Sequence, residues 1–379
     1  MNLRDELRPL LDKFRRVLGV SQLNQSYAAL AGQIAALSQT IHSMDQKLDR
    51  QAPLAPSTRA SLPDFVTINL PNGKTYELSV GDTTGDHFLQ AVASGGANDL
   101  NWHFMNDWVR PGDMLFDVGA NIGTISIPAA VNGATVHAFE LLDANAQHIA
   151  RSAVANKLEG LSIVIGAVAD KPGFAGIGGF SAWGQVVAEA MISLSHIVID
   201  DYADQRAIGH VDFMKLDVEG SERRALVGAA RLIARDHPDI MIECNAASCG
   251  GNGYSYRELL RHLAGQGYDL YRLHERVLCP WDADRVQEVI YTDYFATTKP
   301  PSYLTARSGW PVAPLEDEAI IQTILDQDQF GDLHKQFLRA TYSSLPAAIQ
   351  ADPRVQAMLQ KWAAFDDPRV LSILQTGAA

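Results

Sequence analysis

The chain has 379 residues, enough for one large domain with appendages or for two domains. Hydrophobic residues make up 47% and charged residues 20%, the balance of an ordinary globular protein. A net charge of −13, with Arg15-Arg16 and Arg223-Arg224 as the densest basic runs, argues against nucleic acid as the main partner, because phosphate binding needs clustered Lys and Arg. Cys244, Cys249 and Cys279 follow neither a disulfide framework nor a zinc-ligand spacing and read as reduced, buried thiols. The charged start around Asp5 and Glu6, and the lack of an apolar run of bilayer length, predict a cytoplasmic protein without a membrane partner.

Residues 1–50 are helical by pattern. Leu3, Leu7, Leu10, Phe14 and Val17 mark one amphipathic helix. From Leu23 through Tyr27, Leu30, Ile34, Leu37, Ile41 and Met44 to Leu48, apolar residues alternate steps of four and three. That seam fits a short parallel coiled coil, hence a homo-oligomer, or else a helical hairpin folded on its own domain. Residues 51–63, with Pro53, Pro56 and Pro63, read as a linker. Residues 65–70 and 74–80 alternate around Pro71-Asn72-Gly73 and predict a β-hairpin. Residues 86–109 look helical, interrupted at Gly95-Gly96.

Residues 113–298 alternate short apolar strands with helical stretches, as an α/β sheet does, so the domain is placed at 64–300. Strands are expected at 114–118, 135–140, 162–166, 213–217, 240–244, 268–273 and 289–297. Helices are expected at 124–131, 143–156, 221–234 and 255–266. The last two strands are separated only by the turn-rich residues 278–285 and must be antiparallel, since a parallel crossover needs a dozen or more residues. The tail, 301–379, reads as helical; Asp352-Pro353-Arg354-Val355 recurs at 367–370, each copy an Asp cap before a Pro at the first helical position.

Three motifs sit where such a sheet binds ligands. Asp117-Val-Gly119-Ala-Asn121-Ile-Gly123 follows a strand and opens a helix: Gly119 permits a sharp turn and close ligand approach, and N–H groups at the helix start favour a carboxylate or phosphate. Glu140 ends the next strand, where an acidic residue binds ribose hydroxyls in dinucleotide folds. Lys215, Asp217 and Glu219 alternate on one face at the end of the fourth strand, with Ser221 and Glu222 placed to cap the following helix.

The ordered set of 117–123, His137-Ala-Phe-Glu140, Ile199-Asp200-Asp201 and Val211 to Glu222 resembles the FkbM-type methyltransferases. Gly228-Ala229 and Pro238 to Glu243 continue the likeness, which spans about 108–299. It implies a Rossmann-like class I methyltransferase, a seven-stranded sheet with its last strand antiparallel, S-adenosylmethionine (SAM) as donor and a hydroxyl acceptor on a sugar, glycan or natural product. Asp117, Gly119, Asn121, Gly123 and Glu140 would hold the donor. Where many members carry a polar side chain near adenine, this chain has Gly166-Ala167-Val168, leaving Ala167 and backbone groups.

The sulfonium is already an activated electrophile, so alignment and a general base are what the protein must add. Asp217 is the first candidate base, with His196 and Glu243 as rivals and Lys215 holding a carboxylate in place. A divalent cation such as Mg²⁺ on Asp217 and Glu243 is an alternative. The glycine-rich insert 171–189 is a substrate loop or a hairpin, and Trp102, Trp183 and Tyr254 stack on a sugar or belong to the core. Two other readings compete. A nicotinamide-dependent oxidoreductase needs G-x-G-x-x-G, which this loop lacks, and a silent SAM-fold scaffold would not need the intact acids.

Overall fold

The computed structural model describes residues 64–81, 87–96, 99–178, 185–187, 193–281, 291–326 and 347–362. The heptad segment, the linker and the second Asp-Pro-Arg-Val copy lie outside these residues. The expected hairpin, β1 (Phe65–Asn69) and β2 (Thr75–Ser79), is an antiparallel two-stranded sheet of its own. It is fastened to the helix Asp143–Ala155 and its cap: Ser79 N donates to Ser152 Oγ at 2.8 Å, and Glu77 N to Asn156 Oδ1 at 2.8 Å. The helical stretch that follows comprises His87–Ala91, a π-helical turn at Val92–Gly96 and Leu100–Trp108, broken where Gly95 adopts φ 95°.

The chain then forms β3 (Met114–Val118), β4 (Thr135–Glu140), β5 (Leu161–Ile165), β6 (Ala167–Val168), β7 (Phe174–Gly178), β8 (Gln185–Val187), β9 (Ser193–Ile197), β10 (Phe213–Leu216), β11 (Asp239–Asn245), β12 (Asp269–His274), β13 (Val277–Pro280) and β14 (Tyr291–Thr297). An eight-stranded sheet runs β13-β12-β14-β11-β10-β3-β4-β5. Strands β5, β4, β3, β10 and β11 pair in parallel, and β14 is antiparallel to both its neighbours. The seven expected strands are all present; the eighth, β13, was missed. It has four residues, too few for a readable alternation. Its turn is Glu275-Arg276, both at positive φ (43° and 63°), without the Asn-Gly or Asp-Gly that ordinarily betrays such a hairpin.

Strands β6 to β9 make a four-stranded sheet, β6-β9-β7-β8, in which β7 and β8 are antiparallel. Of the two readings of the insert, the structure shows the hairpin; Trp183 lies outside the described residues. Residues 221–234, expected as one helix, form two, Glu222–Gly228 and Ala230–Asp236, with Ala229 at the junction. The second helix starts there because Asp200 caps it from across the fold: Oδ2 accepts Arg231 N and Oδ1 accepts Leu232 N, each at 2.9 Å.

Strand alternation sorts the core onto two faces. Leu115, Val136, Ala138, Phe213, Met241 and Phe295 pack with Trp102, Phe104 and Trp108. Phe116, Phe139, Met214, Leu216 and Ile242 pack opposite, with Leu226, Leu259 and the tail residues Ile320, Ile324 and Val355. The described tail is helical at Pro301–Ser308, Asp317–Asp326, Ala347–Gln350 and Pro353–Trp362, and Asp352 Oδ1 accepts Arg354 N at 2.8 Å as the Asp-Pro pattern predicts. Trp102 and Tyr254 are core residues, buried and hydrogen-bonded, not open stacking surfaces. All three cysteines are buried thiols outside any disulfide. Among the described residues no helix is long and apolar enough to cross a membrane.

Asp200→Ala should cost about 2 kcal/mol in chemical denaturation, since it leaves two helix N–H groups without their charged acceptor. Asp201→Ala, which removes only an exposed carboxylate 3.5 Å from Arg231, should stay within about 0.5 kcal/mol. Equal losses in the two variants would reject the cap.

Candidate functional site

The parallel register lines one face of the sheet with acids at the strands' C-terminal ends. Asp117 pairs with Lys215 and with Ala138, so Glu140, two residues beyond Ala138, shares that face. Leu216 pairs with Ile242, placing Asp217 beside Glu243, and Glu243 pairs with Asp293 on β14. Residues paired across a sheet point to the same side, and every second residue along a strand does so. Ile165, Glu140, Asp217, Glu243 and Asp293 therefore form a row along one edge.

Gly119 carries the chain over this row. Its φ is 85°, and a Cβ there would overlap the Asp217 carbonyl oxygen, so glycine is required twice over. The N–H groups of Gly119 and Ala120 both donate to Phe139 O at 2.9 Å, Gly123 N to Ala120 O at 2.8 Å, and Asn121 N to Glu140 Oε2 at 2.7 Å. These four groups are thus consumed within the fold and are not offered to an anion. What the loop presents instead is close backbone beside Glu140. Asn121 Oδ1 is buried and lacks a hydrogen-bond partner among the described residues. Glu140 Oε1 also accepts Leu142 N at 2.7 Å. Burial pushes the Glu140 carboxyl up to about 7, against these N–H groups.

Lys215 binds the centre. Its Nζ lies 2.9 Å from Gly119 O, 3.1 Å from Asp217 Oδ2 and 3.7 Å from Asp117 Oδ1. Burial alone would lower its pKa, but Asp217 and Asp117 outweigh that and hold it above the ordinary lysine value. Asp117 is fully buried, its Oδ2 accepting the Ser126 hydroxyl at 2.6 Å. Burial raises its pKa despite Lys215 and Ser126.

The turn after β10 bends sharply, with Glu219 at φ 51° and Gly220 at φ 94°. A Cβ on Gly220 would overlap Asn252 and Ser248. Ser221, expected to cap the next helix, makes no side-chain cap bond. Glu222 instead braces the turn: its Oε1 accepts Val218 N at 3.0 Å and Gly220 N at 3.1 Å, while Oε2 lies 3.0 Å from the Tyr254 hydroxyl. Glu219 Oε2 accepts Ser248 Oγ at 3.3 Å, and burial with the nearby Asp217 charge pushes Glu219 up to about 7. Glu243 is buried and raised by burial, then by Asp217 and Glu219.

Asp217, Glu219, Glu243 and Lys215 are thus brought together, with Glu140 along the same edge. His196 is not part of this group. It sits on β9 of the smaller sheet, its Nδ1 2.9 Å from Lys171 O. Ala167 is buried in β6, and the apolar side chain in register with Glu140 is Ile165, which is 44% exposed. Sequence reasoning also missed Asp293, whose Oδ2 accepts Asn101 Nδ2 at 2.6 Å and whose carboxyl burial pushes up to about 7. Its one signal was an acid inside the otherwise uncharged strand Tyr291–Thr297.

Residues 117–270 match the family model described as the methyltransferase FkbM domain. The 31-O-demethyl-FK506 methyltransferase FkbM of Streptomyces tacrolimicus is 28% identical over an alignment covering 43% of this chain and 75% of that protein. Among solved structures, the methyltransferase FkbM of Methylobacillus flagellatus KT is 18% identical, with a TM-score of 0.34 over 56% of this chain and 55% of its own. P. horikoshii TYW2, solved in complex with MeSAdo, is 18% identical, with a TM-score of 0.33 over 62% of this chain and 72% of its own. Structural likenesses of that size are too weak to bear on function.

With its carboxyl raised from 4.5 to about 7, Glu140 keeps its proton in the folded chain at pH values where the unfolded chain has released it. Through this group, stability is greatest below about pH 4.5 and falls as pH rises toward 7. Glu140→Gln removes the titration, so between pH 5 and 7 the variant should lose less stability than wild type, by up to about 2 kcal/mol. Parallel stability–pH curves would show that Glu140 titrates normally.

Proposed function

We propose, from the premise that residues 117–270 are an FkbM-type methyltransferase domain, that the chain is a SAM-dependent O-methyltransferase acting on a hydroxyl of a sugar, glycan or natural product. The observation that carries this reading is the cluster of acids at the strand ends, with Glu140 on one side of the Gly119 crossing and Asp217, Glu219 and Glu243 on the other. The residues present fit the donor. The Glu140 carboxylate has a lone pair beyond those used by Asn121, Leu142 and Asn145 for a ribose hydroxyl, and Ile165 offers exposed apolar surface beside it for the base. Asn121 Oδ1 is a buried acceptor awaiting a donor. The surplus of carboxylates suits a cationic ligand.

SAM supplies a methyl group on a positively charged sulfur. The protein's part is to align the acceptor oxygen and receive its proton as the oxygen–carbon bond forms and the carbon–sulfur bond breaks. Of the two candidate bases on this edge, Asp217, with its side chain 33% exposed, is able to meet an acceptor, whereas Glu243 is 5% exposed. Lys215, 3.1 Å away, fixes the Asp217 carboxylate.

Asp217→Asn should lower turnover about 10²–10⁴-fold while calorimetry shows SAM affinity nearly unchanged. A variant with lowered melting temperature but wild-type turnover per folded molecule would make Asp217 a turn residue only. Glu140→Ala should weaken SAM binding by about 1.5–3 kcal/mol. Unaltered affinity there would remove Glu140 from the donor site.

A further inference from the structure

Asp217, Glu219 and Glu243 each offer one carboxylate oxygen, and these oxygens lie within 4.8 Å of one another. Asp217 and Glu219 come from the turn after β10 and Glu243 from the adjacent β11, so the group is held by neighbouring parallel strands rather than by one mobile loop. A cluster of acids alone would signify little. Here Glu243 is 5% exposed, and its Oε2 is buried without a hydrogen-bond partner among the described residues. Nor does a protein cation answer it. Lys215 is committed to Gly119 O, Asp117 and Asp217, and among the described residues no ion pair reaches Glu219 or Glu243.

We propose that Asp217, Glu219 and Glu243 bind a divalent cation of the hard, oxygen-preferring class, Mg²⁺, Mn²⁺ or Ca²⁺. Three carboxylates with no nitrogen or sulfur among them select that class over zinc or copper. Two bonds of about 2.4 Å, the Ca–O length, span the observed spacing, and the shorter Mg–O bonds of about 2.1 Å need only side-chain adjustment. The remaining positions fall to water or to an acceptor oxygen. The ion follows from the carboxylates alone; its consequence rests on the methyl-transfer reading, in which its charge would stabilise the acceptor oxygen as the proton leaves.

The test is a titration of the full chain, stripped with EDTA, with MnCl₂, following free Mn²⁺ by electron paramagnetic resonance with neither methyl donor nor acceptor present. One saturable site is expected. Glu243→Gln and Glu219→Gln should each weaken it by at least the roughly tenfold lost when a group that merely orients a metal ligand is removed. Circular dichroism melting identifies a folded variant, and either variant suffices. Absence of saturable binding, or unchanged affinity in a folded variant, would overturn the proposal. Saturable binding that these variants weaken, in a protein that transfers methyl to no hydroxyl acceptor, would support the ion and remove the methyl-transfer reading, so the two fail separately.

Discussion

Lys215 ties the ends of two parallel strands together. Its ammonium reaches the Gly119 carbonyl beyond β3 and the Asp217 carboxylate beyond β10, and it stands 3.7 Å from the buried Asp117. Such an ion pair is costly to bury and more costly to break, because removing one partner leaves an uncompensated charge in the interior. The glycine crossing, the orientation of Asp217 and the place of Glu243 beside it all depend on that contact and on the register it spans. Gly119 belongs to the same constraint. A side chain there would collide with the Asp217 backbone, so it would disturb the strand crossing before it touched any ligand.

The same edge carries more acid than one lysine can neutralise. Glu140, Glu219 and Asp293 are all pushed up to about 7, each chiefly by burial. Asp217 adds to the shift at Glu219 and Asp293, so the acids on the β10, β11 and β14 side of the row feel one another, while Glu140 stands apart across the Gly119 crossing. A folded protein tolerates such a concentration where a ligand brings the missing positive charge. The methyl donor and the divalent ion proposed above would both be of that kind, the donor on Glu140 and the ion on Asp217, Glu219 and Glu243.

Several residues of the recognisable motifs prove to hold structure. Asp200 caps a helix begun thirty residues later in the chain. Glu222 accepts the two N–H groups of the strained turn that presents Asp217 and Glu219, and Tyr254 reaches the Gly220 carbonyl from the far side. These groups keep the turn in its left-handed conformation at Glu219, which no β-branched or bulky residue adopts cheaply.

By itself the sequence determined what depends on neighbours along the chain: the order of seven of the eight strands in the large sheet, the hairpin around Asn72-Gly73, the sharp turn at Gly119 and an acid closing β4. Periodicity and turn chemistry are local, so they are written in consecutive residues. It also grouped Lys215, Asp217 and Glu219 by strand alternation, but β10 ends at Leu216, and the turn with Glu219 at φ 51° is what brings that acid to Asp217. It did not show β13, four residues long with a turn made of Glu275 and Arg276, nor the break at Ala229, which a carboxylate from Asp200 imposes from outside the helix. Above all it did not show that Glu243 and Asp293 stand beside Asp217 while His196 stands on another sheet. Which strands lie side by side, and in what register, is decided by burial of both sheet faces at once. Only the tertiary structure closes that packing, and with it the choice of which acids meet.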